Sequence, residues 1–237
     1  MSESLLSVEN LNAYYDKAHI LQDVSFQVNP LERVAILGRN GMGKSTLFKS
    51  ILGLEKIRRE GDVYLNGHNV MNKETFETAN LGVAYVPQGW QLFPSLSVDE
   101  HLQIAHTPHA GEHEWTPDSV YELFPEIKAR KKVSGTKLSG GEQQMLAIAR
   151  ALVRNPWLIL MDEPSEGIST FVIERVIEVC QHMAERNVSL LLVEQNLDLA
   201  LRAAQKVYIL VNGRIVYTTS TEDFKEDKES QIHYLGV

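Results

Sequence analysis

Two periods of hydrophobic repetition alternate along the chain, and the places where one gives way to the other mark out its elements. Leu5 to Leu11 reads as a strand, and Val24, Phe26 and Val28 alternate with polar neighbours as on a half-buried strand. Val34 to Leu37 is a short apolar run that stops at Gly38. Lys44 to Leu52 has helical spacing, with Gly53 as its stop signal. Two Asn-Gly pairs predict tight hairpins: Asn66-Gly67 after Val63 to Leu65, and Asn212-Gly213 between Val207–Val211 and Arg214–Tyr217. From about Val98 to Arg154 the pattern is helical, with a polar break around Thr107 to Pro117. Strand 157–162, helix 170–186, strand 188–194 and helix 196–204 then lead into the second hairpin, and Glu222 to Glu229 reads as a solvated helix. Such alternation predicts an α/β fold with a mainly parallel sheet and crossover helices, interrupted by a helical insertion between residues 98 and 137.

Composition narrows the class. The 237 residues are 43% hydrophobic and 23% charged, enough apolar material for a real core and too much for a disordered chain. A single cysteine excludes a disulfide scaffold, and Cys180 shares a helical stripe with Ile173, Val176, Ile177 and Ala184, a core position. The net charge of -8 argues against a protein that coats nucleic acid. No run approaches the roughly 18–20 apolar residues that span a bilayer. Met1 to Ser4 lacks the features of a secretory signal, so a cytosolic chain is expected, reaching a membrane only through a partner.

The chemistry concentrates in three motifs. Gly38-Arg39-Asn40-Gly41-Met42-Gly43-Lys44-Ser45 fits G-x-x-x-x-G-K-[ST] between an apolar strand and an amphipathic helix. In that setting the backbone curls around phosphates, Lys44 reaches the β- and γ-phosphates and the Ser45 hydroxyl ligates Mg2+. Leu158 to Glu163 is a buried strand ending in two carboxylates, where an open α/β sheet places its ligand. Asp162 is placed to hold Mg2+ and Glu163 to act as general base for an attacking water. Lys137 to Gln144 opens a helix with Ser139 as its N-cap and bare N–H groups at Gly140 and Gly141, a second anion cradle. One nucleotide does not need two separated cradles, so the second is expected to serve a nucleotide held by another subunit.

The phosphate loop 38–45, Gln88, the signature Leu138 to Glu142 and the strand 158–163, in this order, resemble the ATP-binding subunits of ABC transporters over nearly the whole chain. The phrases Tyr85 to Gly89, Leu92-Phe93-Pro94, Leu138 to Ala151, Leu192 to Asn196 and Tyr234 to Val237 are most similar to the subunit serving importers of branched-chain amino acids, or of urea. The resemblance implies a P-loop α/β core with an antiparallel β portion near the N-terminus. It implies one ATP-binding domain, its ATPase core at about 1–97 and 154–237 and a helical subdomain at about 98–153. It implies ATP and Mg2+ as cofactors, with two subunits sandwiching two ATP molecules. Lys44, Glu163, Gln195 and Gln88 then act in hydrolysis. Gly38, Arg39, Asn40, Gly41, Met42, Gly43, Lys44, Ser45 and Thr46 hold the phosphates, and Ser139, Gly140, Gly141 and Glu142 reach across to the partner's nucleotide. Tyr15 stacks on adenine, with Tyr14 as its rival. Ser45, Gln88 and Asp162 contact the metal. Implied partners are transmembrane permease subunits, a second ATP-binding subunit (a paralogue or an identical copy) and, indirectly, a solute-binding protein, with no nucleic acid. The implied place is the cytoplasmic face of the cell membrane. A urea or amide importer, an exporter and a lipid transporter remain as alternatives. The soluble ABC ATPases of DNA repair and translation usually carry a long coiled coil or fused ATPase units, and neither pattern is present.

Three positions depart from the family's pattern. Gln195 stands where most relatives carry a His that contacts the γ-phosphate; an amide donates a hydrogen bond there but carries no proton. Ser169 stands where the commoner pattern has Asp. Trp90 stands where relatives usually carry a polar residue. Trp90, Leu92 and Phe93 are expected either to fill the cleft beside the helical insertion or to form a docking surface for the membrane partner. His101, His106, His109 and His113 read as a surface loop rather than a metal site, and Lys128 to Lys132 as a solvated basic face.

Overall fold

The computed structural model describes residues 4–55, 57–108 and 114–236. Its N-terminal portion is antiparallel: β1 (Leu6–Tyr15), β2 (Ala18–Val28), β4 (Arg58–Leu65) and β5 (His68–Asn69) form a sheet in the order β2-β1-β4-β5. A six-stranded sheet carries β3 (Arg33–Leu37), β6 (Val83–Val86), β7 (Leu158–Asp162), β8 (Ser189–Glu194), β9 (Lys206–Val211) and β10 (Arg214–Ser220), in the order β10-β9-β3-β8-β7-β6. Every pairing in it is parallel except the β9–β10 hairpin.

Period-two alternation sends the central strands' side chains to two cores. Val34, Ile36, Leu158, Leu160, Leu191 and Val193 pack with β1, β2 and α1 (Lys44–Leu52). Ala35, Leu37, Ile159, Met161, Leu190 and Leu192 pack on the other face, against α6 (Gly140–Leu152) and α7 (Thr170–Glu185). Covered on both faces, β7 and β8 are buried along their whole length, which is why their sequences read as continuous apolar runs.

The helical stretch comprises α3 (Val98–Ala105), α4 (Pro117–Leu123), α5 (Pro125–Lys128), a single 3-10 turn (Gly135–Lys137) and α6. Ser97, Thr116 and Ser139 cap α3, α4 and α6 with reciprocal capping boxes. Two elements gave no periodic signal. The helix α2 (Thr75–Asn80) buries only Thr78, so it has no apolar stripe, and the four residues of β6 are too few to show a period. The helix α8 (Leu197–Ala203) follows β8.

Two expectations are corrected. The stretch 222–229 is not one solvated helix. It breaks at Asp227 into α9 (Thr221–Glu226) and α10 (Lys228–Ser230), and Phe224 is fully buried beside Tyr217. Nor is His101 in a surface loop. It lies on α3, 1% exposed, with Nδ1 2.8 Å from the Ser97 carbonyl and Nε2 accepting the Phe93 N–H at 2.9 Å. This network needs a neutral ring, and burial lowers the imidazole's pKa accordingly. His106 pairs with Glu114 at 3.3 Å; His109 and His113 lie outside the described residues. No group of metal-ligating side chains is found among the described residues. No helix among them is long and apolar enough to cross a membrane.

The second hairpin serves the phosphate loop directly. Gly213 donates its N–H to the Met42 carbonyl and accepts from the Gln22 N–H. Its φ is +76°, and a Cβ there would meet the Ile20 carbonyl oxygen at 1.9 Å, so only glycine fits between β2 and the loop.

Candidate active site

Three neighbouring parallel strands end at one edge, and each delivers polar groups there. In register, Leu37 of β3 faces Glu194 of β8, and Asp162 of β7 faces Val193. The central strand β8 pins both flanking loops: Gly38 donates its N–H to the Glu194 carbonyl (3.2 Å) and Glu163 to the Val193 carbonyl (3.0 Å). Glu163 holds φ at +47°, an uncommon conformation for a non-glycine residue and one that concentrates at functional sites.

After β3 the chain turns through residues 38–43 into α1. Gly43, at φ +102°, is the N-cap and has no side chain to occupy the concave face. The helix's first internal bond runs from Leu47 to Gly43, so the amides of Lys44, Ser45 and Thr46 are left for an anion. Lys44 is 4% exposed; its Nζ donates to the carbonyls of Gly38 (2.7 Å) and Arg39 (3.1 Å) and pairs with Glu163 Oε1 at 2.8 Å. These groups fit a phosphate chain.

Ser45 Oγ donates to Asp162 Oδ1, and Tyr85 of β6 donates its hydroxyl to Asp162 Oδ2, both at 3.1 Å. Burial raises the Asp162 carboxyl's pKa against the two hydroxyl donors, and burial with the Asp162 charge raises the Tyr85 phenol. A carboxylate and a hydroxyl converging in this way form an oxygen donor set suited to Mg2+.

Glu163 lines three adjoining hollows. One of about 280 Å³ also exposes Gly41, Lys44 and Ser45. A second of about 290 Å³ exposes Asn40, Glu194 and Gln195. The third, about 260 Å³, is bordered by Trp90, Gln144 and Glu166. Gln88 donates its Nε2 to Glu166 Oε2 at 2.5 Å and lies 3.5 Å from Glu163 Oε2, so its amide is directed to these two carboxylates.

Tyr15 and Tyr14 are separated by their surroundings. Tyr14 is stacked on His19 (4.3 Å) and lies under the Arg58 guanidinium (3.9 Å). Tyr15 is 37% exposed and tethered at its hydroxyl to Glu55, which pairs with Lys49 of α1. The signature residues stand apart. Glu142 closes the α6 capping box on Ser139, and no hydrogen bond or ion pair joins residues 139–142 to 38–46 among the described residues.

Trp90, Leu92 and Phe93 do not act as one patch. Trp90 and Leu92 are half-buried, and a Cβ on Gly140 would lie 3.4 Å from the Trp90 ring. Phe93 is 56% exposed, stacked against His101. Arg150 of α6 donates to the carbonyls of Trp90 and Gln91, so α6 fixes the loop that begins at Gln88. A groove of about 350 Å³ opens beside it, lined by Phe93, Leu96, His101, Ile104 and Arg150.

Sequence reasoning assigned no role to Tyr85, Glu166 or Glu194. Tyr85 sits on a strand too short to register. Glu194 does leave a signal, a carboxylate closing an otherwise apolar strand, the same pattern that marks Asp162.

A family profile described as ABC transporter matches residues 21–166. The chain is 35% identical to the high-affinity branched-chain amino acid transport ATP-binding protein BraG of Pseudomonas aeruginosa, over 98% of this chain and 100% of that one. It is 36% identical to a probable branched-chain amino acid transport ATP-binding protein, LivF of Archaeoglobus fulgidus (98% and 99%), and 31% to the lipopolysaccharide export system ATP-binding protein LptB of Haemophilus influenzae (98% and 98%). Among solved structures, a nucleotide-free ATP-binding cassette from an ABC transporter superimposes with a TM-score of 0.84 at 26% identity, covering 98% of both chains. Sequence and architecture thus agree, and the chain belongs to the ABC transporter family, among its ATP-binding subunits.

Proposed function

We propose that this chain binds and hydrolyses ATP to power import of branched-chain or other hydrophobic amino acids, working with transmembrane permease subunits and a second ATP-binding subunit on the inner face of the membrane. The observation that carries the reading is the convergence of Lys44, Ser45, Asp162, Glu163 and Gln195 at the ends of β3, β7 and β8. The amino-acid substrate rests on the 35–36% relatives; the export relative, at 31%, gives the lipid-export alternative weaker support. The whole chain acts as one ATP-binding domain, with residues 98–153 as its helical subdomain.

In this reading the loop 38–46 wraps the phosphates, and Lys44 transfers its charge from Glu163 to the γ-phosphate. Glu163, released, takes the proton of the attacking water. Gln195 donates its amide to the γ-phosphate. Ser45 and Asp162, with Gln88 moving in from Glu166, would hold Mg2+, which when bound neutralises charge on the phosphate oxygens. Tyr15, the less occupied of the two tyrosines, stacks on adenine. Ser139 to Glu142 complete the site of the partner subunit. The groove beside Phe93 receives a helix of the permease, with Gln88 at the start of the loop linking it to the phosphates.

Glu163→Gln is expected to retain ATP binding and to slow turnover of the assembled transporter by roughly a hundredfold or more; near-normal turnover overturns the assignment. Phe93→Asp with Ile104→Asp is expected to abolish co-purification with the permease while the isolated chain keeps its melting temperature; retained assembly refutes docking at the groove. Asp162 supplies a pH test. A carboxyl whose pKa is raised on folding costs stability above the folded pKa, and the cost vanishes below the unfolded value. Asp162→Asn is therefore expected to raise the melting temperature of the chain without nucleotide or Mg2+ at neutral pH, with the gain shrinking on acidification. An unchanged or lowered melting temperature at neutral pH contradicts this.

A further inference from the structure

Glu194 is 1% exposed, and no cation pairs with it among the described residues. Its carboxylate is met by three backbone amides, with the Ser165 side chain adding to them. Oε1 accepts the Ser165 N–H at 2.9 Å, and Oε2 accepts those of Gln195 (2.9 Å) and Asn196 (2.8 Å). Its own carbonyl takes the Gly38 N–H at 3.2 Å. Burial pushes this carboxyl's pKa up, and the three amides together with the Ser165 side chain oppose that push. A buried carboxylate is a costly way to end a strand unless its donors are all in place.

The three amides belong to two different loops. Ser165 follows Glu163 by two residues, with Pro164 between them, whose ring locks its own φ and leaves little slack. Gln195 and Asn196 lead into α8, for which Asn196 is the N-cap. A hydroxyl or amide side chain offers one acceptor atom. A carboxylate offers two oxygens and so reaches both loops at once, with charge-assisted bonds to each.

We propose that Glu194 is a positioning residue, a clasp that holds the Glu163 loop and the Gln195 loop in one fixed relation so that neither moves alone. Glu194 touches no reacting atom; it acts through Glu163 and Gln195. The inference rests on the reading of those two residues given above. It adds a mechanical consequence: a shift of Gln195 toward the γ-phosphate is felt at Ser165 and along the loop that runs on to Ser169.

The test is a double-mutant cycle in the assembled transporter. Glu194→Gln keeps the shape but sets an amide nitrogen against one set of backbone donors. The expected result is a kcat lowered by about tenfold or more with the KM for ATP within about twofold, the pattern of misplaced reacting groups. In a Gln195→Ala background the same substitution is expected to cost much less, because the two residues act as a unit. Equal fold-losses in both backgrounds, or an unchanged kcat in Glu194→Gln, overturn the clasp. Amide hydrogen exchange on the wild-type full chain tests it without any variant. Ser165, Gln195 and Asn196 are expected to be protected, and exchange of the Ser165 amide at the rate of a free loop overturns the clasp. Glu163→Gln, assayed alongside, separates the two readings. Full turnover there removes the site assignment and the clasp with it, whereas lost turnover there beside an unaffected Glu194→Gln removes the clasp alone.

Discussion

The site is organised around one buried cation. Lys44 is almost wholly removed from water, and a buried ammonium persists only with its donors matched and its charge met. Glu163 and the carbonyls of Gly38 and Arg39 meet it here. Two of these partners are themselves fixed by the sheet, Glu163 through its amide on β8 and Gly38 through its amide on the same strand. The arrangement is therefore a socket built for anionic oxygen. In the proposed mechanism a phosphate chain enters it by replacing Glu163 as the counter-ion, and that replacement frees the carboxylate next to the bond to be broken.

The sheet order makes such a socket possible. With β8 between β3 and β7, the loop after each flanking strand is tied to the central one. The apolar length of β7 and β8 keeps these strand ends rigid, since both faces are packed. The loop from Gln88 is held instead by α6 and α3, through Arg150 and His101. Elements around the proposed phosphate site therefore belong to two supports: the sheet, and the helices of 98–153, which also carry residues 139–142.

Much of this was legible in the sequence because the chemistry lies at strand ends, where an apolar run stops at a polar residue. Asp162 and Glu163 are found that way, Lys44 through the glycine-rich loop that follows such a run, and Gln195 only through the family resemblance. Residues acting across strands were not. Tyr85 belongs to a four-residue strand, and its hydroxyl matters only because β6 pairs with β7 in register. Glu194 closes an apolar strand as Asp162 does, but what it holds shows only once the Ser165 amide is seen bonded to it. His101 looked exposed because a histidine-rich stretch is polar on average, yet its ring serves backbone groups of the neighbouring loop. Phe224 was lost in a charged run because one aromatic among charges makes no period. The aromatic residues after Gln88 stand out in the sequence, but which of them faces the groove depends on where α6 places Gly140 beside Trp90.

The central claim is that phosphate displaces Glu163 from Lys44. Calorimetric titration of ATP without divalent cation, on the wild-type chain and on Glu163→Gln, tests it most directly, since Asp162 then has no metal to hold. Removing the competing carboxylate is predicted to tighten binding by roughly three- to tenfold, or about 0.7–1.4 kcal/mol. Equal or weaker binding by the glutamine variant would contradict the account.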